Sequence, residues 1–143
     1  MTKLFLDANF LIYLNTMVND QHSKLQKFFS GLLNEELFTD LLVIEETLYI
    51  SFSKYNVPYQ LTLEFLKNAI LPYAAITPME ESDISLLGNY LSRYPVKPSD
   101  AVHLACMEKE GITKIISEDK DFDKVKEVTR LWLPKTMKPE SES

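Results

Sequence analysis

The chain is poor in the residues that staple or tether a fold. One cysteine, Cys106, excludes an internal disulfide and suits a reducing compartment. With two histidines beside it, a zinc site of the usual composition is a poor fit. Glycine is scarce, at three residues, and "LFLDAN" near the start has none with which to begin a dinucleotide fingerprint. No apolar run approaches the roughly 20 residues of a membrane span. The opening residues also lack the basic start and cleavable apolar stretch of a secretory signal. The expectation is a cytoplasmic protein with no membrane partner. Positive charge is in deficit too: 15 basic against 21 acidic residues leave a formal net charge of −6. A protein that grips nucleic acid by broad phosphate neutralisation is basic. Any such contact here is therefore local, or runs through metal ions that reverse the sign of an acidic site. The acidity also leaves room for a basic partner.

What is present reads as an ordinary soluble domain. With 143 residues, 45% hydrophobic and 25% charged, the chain fits one domain. A chain of this length buries roughly two thirds of its unfolded surface. The expected division is a single domain over 1–134 and a frayed polar tail over 135–143, ending "KPESES". Few glycines and many leucines favour a largely helical fold.

Hydrophobic spacing predicts alternating strands and helices. Strands are expected at 3–6, 37–40, 73–77, 113–117 and 128–133, the third weakly defined. Helices are expected over 10–14, after a cap at Asp20 (with Leu25, Phe28, Phe29, Leu32 and Leu33 on one face), and over 42–55, 61–71 and 79–94. Another runs through "KPSDAVHLACMEKEG", opened by Pro98 and Ser99 and stopped by Gly111. A helical turn is expected at 122–125. This alternation implies α/β: a mostly parallel, roughly five-stranded sheet between two helical layers. In such sheets ligands sit beyond the carboxyl ends of the strands.

Four acids fall where those ends are expected. Asp7 follows the first strand, and Glu46 lies in "LLVIEETLYI", just after the second. Asp100 opens the helix in "KPSDAVHLA", and Asp119 lies in "IISEDKDFD", after the fourth strand. Acids gathered in a partly dry cleft repel one another, and a divalent cation relieves that repulsion. Mg²⁺ and Mn²⁺ favour carboxylate and water ligands, activate water and stabilise charge on a phosphodiester. Each acid alone also has a plainer reading. Asp7 suits a turn or cap, Asp100 a cap with Ser99, Glu45 and Glu46 a solvated surface, and Asp119, Asp121 and Asp123 a charged turn.

The words "LFLDANFLIYL", "LLVIEETLYI", "KPSDAVHLACM" and "IISEDKDFDKV", in this order and spacing, resemble the PIN-domain family of metal-dependent ribonucleases. The likeness is strongest to the VapC-type toxins of toxin–antitoxin pairs and covers residues 4 to about 134. It implies a three-layer α/β/α fold, usually dimeric, with an acidic pocket for Mg²⁺ or Mn²⁺ and RNA as substrate. Carried across, Asp7, Glu46, Asp100 and Asp119 are the four family acids. Glu46 is preferred over Glu45 because the family glutamate stands just ahead of residues like "TLY". Asp121 is an auxiliary acid. Asn9 matches a polar residue that follows the first acid, and Ser117 a hydroxyl that helps to orient the site. The toxin role implies an antitoxin protein as partner.

Other residues carry less. His103 and Cys106 share one helix, but no third group completes a catalytic set, so Cys106 is expected to pack and His103 to pack or hydrogen-bond near the site. Trp132 and Tyr49 are expected in core or dimer packing, and Lys97, Lys120 and Lys124 in solvent. Two alternatives stand beside the nuclease: a non-catalytic PIN-like scaffold, and a haloacid-dehalogenase-like phosphatase. The second expects an aspartate two residues after the first acid, where this chain has Asn9.

Overall fold

The computed structural model describes residues 1–133; the expected polar tail lies outside the described residues. Among them, five strands form one all-parallel sheet: β1 (Lys3–Leu6), β2 (Glu36–Asp40), β3 (Ala74–Thr77), β4 (Lys114–Ile116) and β5 (Thr129–Leu131). The order is β3-β2-β1-β4-β5. Six α-helices accompany it: α1 (Ala8–Thr16), α2 (Asn19–Leu32), α3 (Leu41–Tyr55), α4 (Tyr59–Phe65), α5 (Asp83–Arg93) and α6 (Pro98–Lys109). The arrangement is the expected three-layer α/β/α sandwich.

β1 occupies the centre of the sheet, a place its apolar run suits. Leu4, Phe5 and Leu6 are all buried, as a parallel strand covered on both faces requires. Leu4 pairs with Leu37 on one side and Lys114 on the other. From β1 the chain winds outward through β2 and β3, then returns to lay β4 against the free side of β1. The crossovers leaving β1 and β4 therefore diverge, which opens a crevice at their carboxyl ends.

Several elements differ from their expected limits for local reasons. α2 begins at Asn19, a residue with φ of 58°, so Asp20 stands in its first turn and Val18 precedes it without a side-chain cap. The helix expected over 61–71 starts two residues earlier and widens into a π-turn at Leu66–Ile70, whose end residues are both buried. α5 starts at Asp83, not near 79. The Asp83 carboxylate accepts the Glu80 N–H and pairs with Lys109, closing a turn where the apolar spacing suggested a helix. At the end of α6, Gly111 takes the left-handed conformation (φ 68°) that marks the expected stop.

Aromatic packing divides the two residues weighed above. Trp132 joins Phe10 and Tyr13 of α1 and Phe28 of α2 in edge-to-face contacts. Tyr49 does not enter the core, with 55% of its surface exposed. Among the described residues, no helix is long and apolar enough to cross a membrane.

Candidate active site

Aspartates close β1 and β2 and follow β4, and each also organises the turn behind it. Asp7 caps α1, its Oδ1 accepting the Ala8 N–H at 2.8 Å. Asp40, the last residue of β2, caps α3 by accepting the Val43 N–H at 2.8 Å. Asp119 accepts the Asp121 N–H at 2.9 Å and begins a 3₁₀ turn, Lys120–Lys124. A carboxylate at such a position satisfies backbone donors that the following turn leaves free. The plain capping reading and the functional one are thus compatible for Asp7.

The β1–β4 side of the crevice is stitched by hydrogen bonds. Ser117 donates its hydroxyl to Asp7 Oδ2 at 2.6 Å and accepts the Asp119 N–H at 3.0 Å. Asn9 donates to the same hydroxyl oxygen at 3.0 Å and to Asp7 Oδ2 at 3.3 Å. Its carbonyl in turn accepts the Glu118 N–H. Asn9 and Ser117 therefore both lie against Asp7. Burial raises the Asp7 carboxyl above its ordinary range, while the His103 charge, the Ser117 hydroxyl and the Ala8 N–H pull against that rise.

Asp100 behaves otherwise. It lies in the first turn of α6 but caps nothing, since Lys97 precedes the helix without a side-chain bond and Pro98 opens it. Its Oδ2 is buried with no hydrogen-bond partner. Burial, reinforced by the charge of Asp7, pushes this carboxyl up to about 7; Asp119 and Glu46 add to the rise and His103 opposes it. The capping role with Ser99 is not what Asp100 does.

The fourth acid arrives from α3. Glu46 turns inward, with Oε1 3.2 Å from His103 Nε2, whereas Glu45 beside it is exposed. His103 is completely buried and holds Asp40 Oδ2 through Nδ1 at 2.7 Å. Burial disfavours the imidazolium, but hydrogen bonds to Asp40 and Glu46 outweigh it and carry the ring up to about 10. Phe5 packs beside the ring, at 5.5 Å between centroids. Cys106 is buried, its thiol pushed up to about 12 by burial and by the Asp40 charge, so it is no nucleophile. Asp121 sits at the rim and pairs with Lys124 at 3.4 Å.

Asp40 escaped the reading of the sequence. "LFTD" ends a strand as "LFLD" does, and that repetition was the available signal. The lysines weighed earlier, Lys97, Lys120 and Lys124, are exposed.

Among the described residues, no group of three or more carboxylate, imidazole or thiol side chains is placed to hold an ion as the side chains stand. The donor set still fits a hard divalent cation. It is made of oxygen ligands, Asp100 Oδ2 has no other partner, and a cation would offset both the burial that chiefly raises Asp100 and the repulsion from Asp7, Asp119 and Glu46 that adds to it. Mg²⁺ is ordinarily held by one or two carboxylates with waters completing its shell, so an open edge suits it better than a cage.

Fold and edge together define a class: an α/β/α domain whose parallel sheet carries acids at the point where its crossovers diverge. Residues 4–128 match the family model of the PIN domain, and the chain belongs to that family. Solved structures agree on the fold. VapC20 of Mycobacterium tuberculosis, a toxin that cleaves the sarcin–ricin loop, is 16% identical, with a TM-score of 0.67 over 84% of this chain and 92% of that one. VapBC2 from Rickettsia felis, bound to a DNA fragment from its promoter, gives 13% identity and 0.71 over 93% and 100%. A toxin–antitoxin complex from Klebsiella pneumoniae gives 17% and 0.63 over 88% and 95%. Among curated protein sequences there is no match.

Proposed function

We propose that the protein is a metal-dependent ribonuclease acting as the toxin of a toxin–antitoxin pair. The observation that carries this reading is the acidic edge. Asp7, Glu46, Asp100 and Asp119 come from four separate segments, and the electrostatics of Asp100 register the other three. Family membership supplies the nuclease class, and the neighbours named above supply the toxin context. Membership also separates the chain from the phosphatase alternative.

In this reading Asp7, Asp100 and Asp119 would hold Mg²⁺ or Mn²⁺, and Glu46 would contribute directly or through water. Such an ion supplies the charge that activates water and offsets negative charge gathering on a phosphodiester. The chain's own residues do the rest. Ser117 and Asn9 fix the Asp7 carboxylate so that it faces the cleft in one rotamer. The buried floor under Asp7 and Asp100 keeps the local dielectric low, so each charge acts strongly on whatever lies at the edge. Asp121, at the rim, is an auxiliary acid. A cation held by these acids would offset the charge of the acidic face, which would reconcile a net charge of −6 with a polyanionic substrate. A homodimer and an antitoxin that places a basic group in the acidic cleft complete the proposal.

The test is cleavage of mixed RNA substrates by purified protein with and without Mn²⁺ or Mg²⁺, beside Asp7→Asn and Asp100→Asn. Metal-dependent cleavage lost in both variants supports the reading. Cleavage retained by both, or unaffected by chelation, removes the site from consideration.

A further inference from the structure

Asp40 directs its two carboxylate oxygens at different elements. Oδ1 caps α3 through Val43, and Oδ2 accepts Nδ1–H of His103 at 2.7 Å. Both residues are completely buried. The imidazole, three residues beyond Asp100 on α6, turns its other nitrogen toward the site. Nε2 lies 3.2 Å from Glu46 Oε1 and 4.0 Å from Asp7 Oδ1. One carboxylate and one ring thereby connect the end of β2, the start of α3 and the middle of α6.

We propose that Asp40 and His103 are a positioning pair for Glu46, holding its carboxylate in one orientation at the acidic edge for a divalent cation. This rests on the metal-dependent reading given above. The chemistry favours it over simple packing. An imidazole placed only to fill the core has no need of a buried carboxylate, which is costly to desolvate unless fully hydrogen-bonded. Here that carboxylate fixes which ring nitrogen faces the partner and how the ring is turned, as a group behind a histidine ordinarily does. Glu46 gains most from the arrangement. It is the most exposed of the three acids the ring touches, at 31% of its side chain against 7% for Asp7 and none for Asp40, and it has the longest side chain to immobilise. Asp40 also starts the helix that carries Glu46, so one residue sets both the backbone and the side-chain position of that acid.

The experiment is Mn²⁺ binding by calorimetry on the full chain, which needs no catalytic readout. It compares wild type with Asp40→Asn, His103→Gln, Glu46→Ala, Asp7→Asn and the His103→Gln/Glu46→Ala double variant, with urea unfolding of each. Asp40→Asn keeps an oxygen for the α3 cap but offers an amide NH₂ where His103 needs an acceptor. We expect Asp40→Asn and His103→Gln to weaken Mn²⁺ binding about 10- to 100-fold, the usual cost of removing a group that holds a metal ligand from behind. In the Glu46→Ala background, His103→Gln should cause no further loss. Wild-type affinity in Asp40→Asn overturns the pairing, and so does a full additional loss in the double variant. If His103→Gln fails to fold, a double variant of Asp40→Asn with Glu46→Ala replaces it in the same comparison. Affinity unchanged in both Asp7→Asn and Glu46→Ala overturns the metal reading itself. A loss in those two with none in Asp40→Asn overturns only the positioning pair.

Discussion

Two carboxylates at the crevice are almost equally buried, Asp7 at 5% and Asp100 at 7% exposure, yet their surroundings are opposite. On the β1–β4 side, Asp7 receives the Ser117 hydroxyl, the Asn9 amide and the Ala8 N–H. On the α6 side, Asp100 has an oxygen with no partner and three acids near enough to raise it. A buried unsatisfied polar atom is costly, and a fold tolerates such costs mainly where function demands them. The satisfied side holds the edge in shape. Under the proposed metal-dependent reading, the unsatisfied side is where a cation would gain most.

The largest way to break this contrast is to neutralise either acid. Asp7→Asn and Asp100→Asn should each reduce metal-dependent RNA cleavage by more than about 100-fold, beyond the usual cost of losing a supporting residue. Initial rates at saturating Mn²⁺ measure it.

A second experiment probes the unsatisfied side through pH, with Asp7, also raised by burial, adding to the trend in the same direction. The Asp100 carboxyl is raised in the fold, so its protonated form favours the folded state. That contribution is complete below the ordinary value of 3.8 and is lost as pH climbs through about 7. His103, also raised, adds a loss in the same direction between 6.5 and about 10. The metal-free protein should therefore lose stability from pH 5 to pH 8. Asp100→Asn should flatten the pH 5–8 part of that slope and raise the melting temperature at pH 8 while abolishing cleavage. Thermal scans in chelator check this; a slope identical in the two proteins refutes the origin assigned to it.

On the satisfied side, Ser117→Ala removes the donor to Asp7 and the acceptor for the Asp119 N–H. A loss of about 1–3 kcal/mol in urea unfolding is expected for a buried group left short of a partner. The smallest effect belongs to Glu45→Gln, beside the inward Glu46. As an exposed position it should shift stability by less than about 0.5 kcal/mol and leave Mn²⁺ affinity unaltered. A large fall in that affinity would reverse the choice between the two glutamates.

Much of the edge was legible in the residues because parallel strands in an α/β fold end where their apolar run meets the first polar residue. "LFLD" and "IISED" announce those ends directly, and Pro98 and Gly111 bracket α6. The Asp40–His103 contact was not legible, because its partners stand 63 residues apart and neither breaks its local pattern. The start of α5 was hidden for a similar reason. Apolar spacing continues back through Met79, while the turn is closed by Asp83 reaching the Glu80 N–H and Lys109 from another helix. Tyr49 fits a helical stripe in sequence yet faces outward, since spacing fixes a face and not what covers it.

The position of β1 bears on when this edge comes into being. The bond from Ser117 to Asp7 spans 110 positions, and β1 has no second neighbour until β4 is made. Contacts of such long sequence separation form late and slowly, after their closure entropy has been met. A ribosome that has released only the first hundred residues has thus produced Asp7 and Glu46 without Asp119 or the serine that orients the first acid. The acidic cleft exists only once β4 has been made, so a partner that recognises it meets the protein after translation has passed β4.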